Sequence, residues 1–139
     1  MVGNYKVCID EASAFLKVAK DCTENTADFL SGMMYPFAVN VSFSCELFLK
    51  GIMIARSSTD EFNRGHDLKD LFSQLNKQDQ EAIARLYANK CCKSLDELLQ
   101  ESANAFENWR YALEKGVSIC VSGMIAFADA LQEYNKTIK

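Results

Sequence analysis

The sequence predicts an all-α fold: a single domain, residues 1–139, built as an antiparallel bundle of about five to six helices. Apolar residues recur every three or four positions along most of the chain, which is the spacing of a helix face. The chain contains one proline and six glycines, and it lacks the alternating apolar runs between turn residues that predict strands. With 139 residues, of which 49% are hydrophobic, it is long enough to bury one core.

The first predicted helix covers about 18 residues and is amphipathic. Its apolar face carries Tyr5, Cys8, Ile9, Ala12, Phe15, Leu16 and Ala19. Residues 23–26 break this pattern, and residues 27–34 either end the first helix or line a loop. We expect Pro36 in the first turn of the next helix, where a proline is best tolerated.

The second predicted helix, Phe37–Ala55, is apolar on nearly every side, which is typical of a helix inside a bundle. Its only charged residues are Glu46 and Lys50, which are four positions apart and therefore share one face. A buried charge is tolerated only when it is paired or hydrogen-bonded. We therefore expect these side chains to contact each other, a group from elsewhere in the chain, or water in a cleft.

The later helices are indicated by capping residues. Asp67 is expected to cap a short third helix, and either Asn76 or Asp79 a fourth. Ser94 and Glu97 have the spacing of a capping box. The fifth helix that follows is expected to continue through Leu113 and end at Gly116, and a last helix carries the apolar residues Ile119, Met124, Phe127, Ala128, Leu131 and Tyr134.

Composition restricts the classes of function. The net charge is −4 and no block of basic residues is present, so overall charge gives no support to general nucleic-acid binding. The six cysteines fall mostly at apolar helical positions, and we expect reduced thiols in a cytoplasmic protein. With one histidine and no Cys-x-x-Cys, we expect no metal site and no cofactor. The charges in the second helix argue against a membrane span.

The polar residues that could carry chemistry are few. His66 is the only histidine, so imidazole chemistry would depend on it alone; otherwise it fixes its loop through hydrogen bonds. Arg110 and Glu114 form a second pair spaced by four residues. If the second and fifth helices pack together, this pair could join Glu46 and Lys50 in one network. Such a network either fixes the register of the bundle or lines a functional cleft.

Three short motifs, taken in order, resemble the HEPN superfamily of small helical bundles. Cys45–Lys50 (CELFLK) is similar to its E-L-x-L-K helix, and Gly65–Phe72 (GHDLKDLF) is similar to its G-H-D-L turn. Phe106–Tyr111 (FENWRY), followed by Glu114, is similar to its aromatic-R-Y-x-x-E helix. The resemblance extends over residues 35–115, and the residues that match are Glu46, Lys50, His66, Asp67, Arg110, Tyr111 and Glu114.

The resemblance implies a compact homodimeric bundle that binds a nucleotide, RNA or a partner protein, for example a nucleotidyltransferase-like protein. It also implies a toxin–antitoxin, phage-defence or RNA-processing system. Catalytic members carry an arginine followed four to six residues later by histidine, whereas no histidine follows Arg110 in this chain. We therefore expect a non-catalytic module.

Two alternatives stay open at the level of sequence. One is a metal-independent ribonuclease that uses His66 with Arg110 or Arg64, since one base near the ribose 2′-hydroxyl and one cation for the phosphate suffice in principle. Glu46 is the remaining catalytic candidate. The other alternative is a dimer that serves only as a structural assembly module.

Overall fold

The computed structural model describes residues 2–57, 67–102 and 120–138. Within these ranges the chain is helical with no strand, which confirms the predicted all-α class. The six main helices of these ranges are α1 (Val2–Cys22), α2 (Met34–Arg56), α3 (Leu68–Ser73), α4 (Lys77–Ala88), α5 (Leu95–Glu101) and α6 (Val121–Asn135).

After a turn at residues 23–25, residues 26–33 are helical and lead into α2, so the expectation that residues 27–34 end the first helix or line a loop is wrong. The Asn25 side chain accepts a hydrogen bond from the Asp28 backbone N–H at 3.0 Å and begins the single turn Thr26–Asp28, which the π-helical segment Phe29–Met33 follows. Pro36 has no N–H to donate to the carbonyl of Gly32, four residues earlier. Gly32 itself departs from helical geometry, with φ 179° and ψ −7°. The wider helical turn thus lies where the proline interrupts the regular hydrogen-bond ladder.

The predicted caps are present at the starts of three helices. Asp67 caps α3, and the Ser94 hydroxyl accepts from the Glu97 N–H at 3.4 Å at the start of α5. Of the two candidates for α4, Asn76 is the cap, since its side chain accepts from the Asp79 N–H at 2.8 Å. These side chains satisfy backbone donors that the helix itself leaves unpaired.

The expectation of an unbroken helix from Leu95 to Leu113 is wrong, because α5 ends at Glu101. The next residue, Ser102, has φ −100° and ψ 5°, and its hydroxyl donates to the Leu98 carbonyl at 2.7 Å. A serine that bonds the preceding turn in this way competes with helix continuation. Gly116 and Ile119, predicted near the following boundary, lie outside the described residues.

Helices α1 and α2 form an antiparallel hairpin with the most extensive contact in the described part of the chain. The buried Ser44 hydroxyl donates to the Ala12 carbonyl at 2.7 Å. Two turns further along the same face of α2, a Cβ on Gly51 would lie 2.8 Å from Ile9 Cδ1. The absence of a side chain at Gly51 therefore allows the two helices to approach closely.

The core lies between the hairpin and the later helices, with α2 at its centre. Side chains of α2 and α6 with no exposed surface include Phe37, Phe48, Leu49, Ile52, Met124, Phe127 and Leu131. The stretch Thr26–Arg56 is long and apolar enough to cross a membrane by length and composition. However, 67% of its most apolar window is buried inside the protein, as expected for the core helix of a bundle.

All six cysteines are free thiols, as expected from their positions. Cys8, Cys22 and Cys45 are buried and act as small apolar side chains. Complete burial raises the pKa of the Cys45 thiol far above its ordinary value. These three thiols are therefore part of the packing, while Cys91, Cys92 and Cys120 are more accessible.

Candidate functional site

The two charges predicted at the centre of α2 are buried and in contact. Glu46 Oε1 and Lys50 Nζ are 3.5 Å apart, and the two side chains are 6% and 11% exposed, respectively. Ser42, one turn before Glu46, is also buried, and its hydroxyl has no hydrogen-bond partner among the described residues. Residues spaced by four share one face of a helix. Ser42, Glu46 and Lys50 therefore form a buried polar stripe along α2.

The polar stripe is closed to large ligands by its burial. A buried ion pair contributes little net stability compared with an apolar core, but it strongly disfavours arrangements that separate the charges. On the neighbouring helix α1, burial raises the pKa of Cys8 and the nearby Glu11 raises it further, whereas Lys50 lowers it. The Glu46–Lys50 pair is buried in the fold, which favours a structural role for it.

Asp67 is the third predicted site residue within the described part of the chain, and its side chain bonds the backbone of the next helix. Its Oδ1 accepts from the Lys69 N–H at 2.9 Å and from the Asp70 N–H at 3.2 Å. These are the contacts of an N-cap, and they use the carboxylate to begin α3. Asp67 is therefore placed at a helix start, while the polar stripe lies in the middle of α2.

The other predicted site residues lie outside the described residues: Arg64, His66, Arg110, Tyr111 and Glu114. Of the predicted set, the structure thus brings together Glu46 and Lys50. The four-residue network that would add Arg110 and Glu114 stays a prediction.

The Asp79 carboxylate of α4 is a second buried charge, and it lies beside the C-terminal end of α2. The sequence did not reveal this contact. The Arg56 guanidinium donates two hydrogen bonds to the Asp79 carboxylate, at 2.8 and 3.1 Å, and the Tyr134 hydroxyl donates to the same carboxylate. The Asp79 side chain is 1% exposed and that of Arg56 is 46% exposed. Burial alone would raise the pKa of the Asp79 carboxyl, but these hydrogen bonds outweigh it and hold the pKa below its ordinary value.

This network borders a cleft of about 270 Å³ between the end of α2 and the α3–α4 connection. Arg56, Asp79 and Gln74 are among the residues that line it. In this bidentate contact, two N–H groups of the planar guanidinium meet the two oxygens of the carboxylate. The pair therefore ties α2 to α4 and, through Tyr134, to α6.

In the described part of the chain, exposed apolar surface is concentrated on the first 35 residues. Among the residues that the structure describes, the exposed large hydrophobic side chains are Val7, Val18, Leu30, Met33 and Tyr35. Between α1 and α2 lies a groove of about 370 Å³, lined by Glu11, Ala14, Phe15, Val18 and Asn40, which we call the hairpin groove. Clusters of exposed apolar side chains with polar neighbours are typical of interaction sites.

Comparisons with protein-family models, curated proteins and solved structures find no match for this chain. The HEPN resemblance therefore stays an expectation from the three motifs. What the structure adds is geometric: a polar stripe withdrawn from solvent and an apolar groove open to it.

Proposed function

We propose that this chain is a HEPN-like, non-catalytic cytoplasmic binding module that functions as a homodimer joined through the hairpin groove. The observation that carries the proposal is the concentration of exposed apolar side chains on α1 and the segment that follows it. The non-catalytic character is supported by the matched residues Glu46 and Lys50, which are nearly buried, and by Asp67, which caps a helix.

The pattern of α1 suits a second copy of the same chain. Val7, Glu11, Ala14 and Val18 are spaced by four, three and four residues and form one face of the helix. In a two-fold antiparallel contact centred on Ala14, residue 17 of one protomer lies opposite residue 11 of the other. Lys17 would then face Glu11 of the partner subunit, and this pairing would occur twice.

The charges on this face are available for such a contact. Lys17 is 81% exposed and lies 3.6 Å from Asp21, a pairing that exposed side chains exchange at little cost. Glu11 makes no ion pair within the described part of the chain. Ala14 has a small side chain, so two copies of α1 can approach closely at the centre of the contact.

The area of α1 alone is smaller than a stable dimer requires. A 21-residue helix is about 30 Å long and 10 Å wide, whereas a stable interface buries about 800 Å² on each partner. The interface therefore needs further apolar surface, which the exposed Leu30, Met33 and Tyr35 provide.

Sedimentation velocity from 1 to 100 μM, about the range in which weak dimers form, tests the proposal. We expect a dimer for the native chain and a monomer for Ala14→Arg, with unchanged helix content in circular dichroism. Ala88→Arg, at an exposed alanine of α4, is the matched control and should remain dimeric. A native chain that stays monomeric at the highest concentration would overturn the proposed dimer.

A charge exchange tests the orientation of the two copies. Lys17→Glu places like charges opposite Glu11 of the partner subunit and should weaken the dimer. The double variant Lys17→Glu/Glu11→Lys should restore it, because the opposite charges are then exchanged. Failure of the double variant to recover would reject the contact centred on Ala14 while leaving other arrangements of the same face.

Labelled single-stranded and structured RNA separates the non-catalytic module from the ribonuclease alternative. We expect no cleavage by the native chain. Cleavage that is lost in both His66→Ala and Arg110→Ala would replace the proposal with the ribonuclease. Binding of RNA or a nucleotide without cleavage would raise the melting temperature in proportion to affinity and concentration.

A further inference from the structure

The Arg56 guanidinium at the end of α2 uses only part of its hydrogen-bonding capacity inside the protein. Its Nε and Nη2 donate to the Asp79 carboxylate, and Nη2 also donates to the Tyr134 hydroxyl at 3.2 Å. A guanidinium has one N–H on Nε and two on each Nη nitrogen. These contacts therefore use the donors of Nε and Nη2, and they leave both N–H groups of Nη1 without a partner among the described residues.

The carboxylate behind Arg56 is buried and fully engaged. The Asp79 side chain is 1% exposed, both of its oxygens accept from Arg56, and one of them also accepts from Tyr134. The Arg56 side chain is 46% exposed. Because one edge of the guanidinium is bound to a buried group, the exposed surface of Arg56 belongs to its other edge, and Asp79 holds that edge in a fixed orientation.

The cleft of about 270 Å³ beside Arg56 has an apolar wall and one charged group. Its apolar lining consists of Met53, which is half-buried, and Leu75, which is 6% exposed. Since a water molecule occupies about 30 Å³ in the liquid, the cleft has room for a small molecule only. Apolar lining with a single fixed polar group is typical of sites that bind small amphipathic ligands.

The charges beside the cleft favour a monoanion over a dianion. The Asp79 carboxylate offsets the charge of Arg56, so the pair supplies no net positive charge to balance a phosphate dianion. A carboxylate carries a single charge, and one of its oxygens can accept a charge-assisted hydrogen bond from Nη1. An aliphatic tail on the same molecule would remove apolar surface of Met53 and Leu75 from water.

We propose that this cleft binds a small carboxylate with a short aliphatic tail, which accepts a hydrogen bond from Arg56 Nη1 and places its tail against Met53 and Leu75. The carboxylate belongs either to a free short-chain acid or to the C-terminus of a peptide that ends in an aliphatic residue. The site is formed by α2, the α3–α4 connection and α4, and it does not depend on the proposed dimer.

The first test is a titration of the native chain with isovalerate at pH 7, followed by NMR. We expect the Arg56 Nε–H and Met53 methyl signals to shift and saturate with a dissociation constant of about 1 mM or lower. Isovaleramide has the same shape without the charge, and we expect it to bind roughly tenfold more weakly. The absence of saturation at about 20 mM isovalerate, or equal affinity for the amide, would overturn the proposal.

Two further probes identify the kind of carboxylate. N-acetylvaline carries the carboxylate at the end of a peptide group, so tighter binding than isovalerate assigns the site to a peptide C-terminus, and weaker binding assigns it to a free acid. Inorganic phosphate should bind more weakly than either. If phosphate bound more tightly than both carboxylates, the cleft would be an anion site of a different class and the proposal would be wrong.

The second test uses variants that differ in charge at one position of the cleft. Met53→Glu and Met53→Gln introduce side chains of nearly equal size, and only the first places a carboxylate beside Arg56. We expect isovalerate affinity to fall roughly tenfold further in Met53→Glu than in Met53→Gln, because the introduced carboxylate competes for the guanidinium. Equal affinities in the two variants, with native helix content in circular dichroism, would contradict recognition of the ligand's charge.

The role of Arg56 itself is tested by a change that keeps a cation beside Asp79. Arg56→Lys removes Nη1, and we expect isovalerate affinity to fall roughly tenfold. Arg85→Lys, at an exposed arginine of α4 that does not line the cleft, is the matched control and should bind like the native chain. Native affinity in a folded Arg56→Lys variant would exclude the guanidinium as the group that binds the carboxylate.

Discussion

At Asp79, burial and pairing act on the same carboxyl in opposite directions. Burial raises its pKa, and hydrogen bonds from Arg56 and Tyr134 lower it by more. A carboxyl whose pKa is lowered by folding contributes to stability. This contribution is fully present above the pKa of about 3.9 that the group has in the unfolded chain, and it is lost as the pH falls through the lower pKa of the folded protein. Asp79 therefore stabilises the fold at neutral pH and ceases to do so in acid.

Arg56→Met removes the guanidinium while keeping an aliphatic side chain of similar length. We expect the variant to lose about 2 kcal/mol at pH 7, because a buried carboxylate loses its charged partner. Urea unfolding from pH 7 to pH 2 should show the difference from the native chain shrinking below about pH 4. A difference that stays constant over this range would show that the lost stability comes from packing alone.

The polar stripe allows a similar experiment in the middle of α2. Glu46→Leu leaves the Lys50 ammonium buried beside an apolar side chain, and we expect a loss on the order of 3 kcal/mol in urea unfolding. The double variant Glu46→Leu/Lys50→Met removes both charges and should recover most of this loss. A loss below about half a kcal/mol in the single variant would indicate a hydrated pair.

Among the helices, the cap of α4 is the simplest to isolate. Asn76→Ala removes the side chain that accepts from the Asp79 N–H, and we expect the free energy of unfolding to fall by about 1 kcal/mol. Asn76→Ser keeps an acceptor at the cap and should lose much less. If thermal unfolding gave equal losses for the alanine and serine variants, the effect would come from the contacts of Asn76 in the cleft and not from capping.

The helices also show which features a sequence discloses. The caps at Asp67, Asn76 and Ser94 are local signals, since each side chain bonds a backbone N–H within three residues. Asp67 and Ser94 were predicted, and Asn76 was one of two candidates. The end of α5 at Glu101 was not predicted, because the apolar spacing continues past it and the serine that interrupts the helix has no distinctive neighbours. Helical periodicity thus predicts where a face is buried better than where a helix stops.

Over the whole molecule, contacts between residues close in sequence were predictable, whereas contacts between distant residues were not. The contact of Glu46 with Lys50 follows from a four-residue spacing and was predictable. Asp79 is 23 residues from Arg56 and 55 from Tyr134 in sequence, and no periodic pattern connects them. The residues joined by such distant contacts could be identified only once the packing of α2, α4 and α6 was known.

The proposed dimer makes stability a property of two chains. If only the folded hairpin presents the groove, association stabilises the folded state by mass action, and the effect grows with protein concentration, reaching about 2.7 kcal/mol at one hundred times the dissociation constant. We expect the melting temperature of the native chain to rise by several degrees between 1 and 100 μM, at roughly 2–4 °C per kcal/mol for a domain near this size. Ala14→Arg should melt at the same temperature throughout this range, while Ala88→Arg should follow the native chain. A native melting temperature that does not depend on concentration would show that the exposed apolar face of α1 is not covered by a second copy under these conditions.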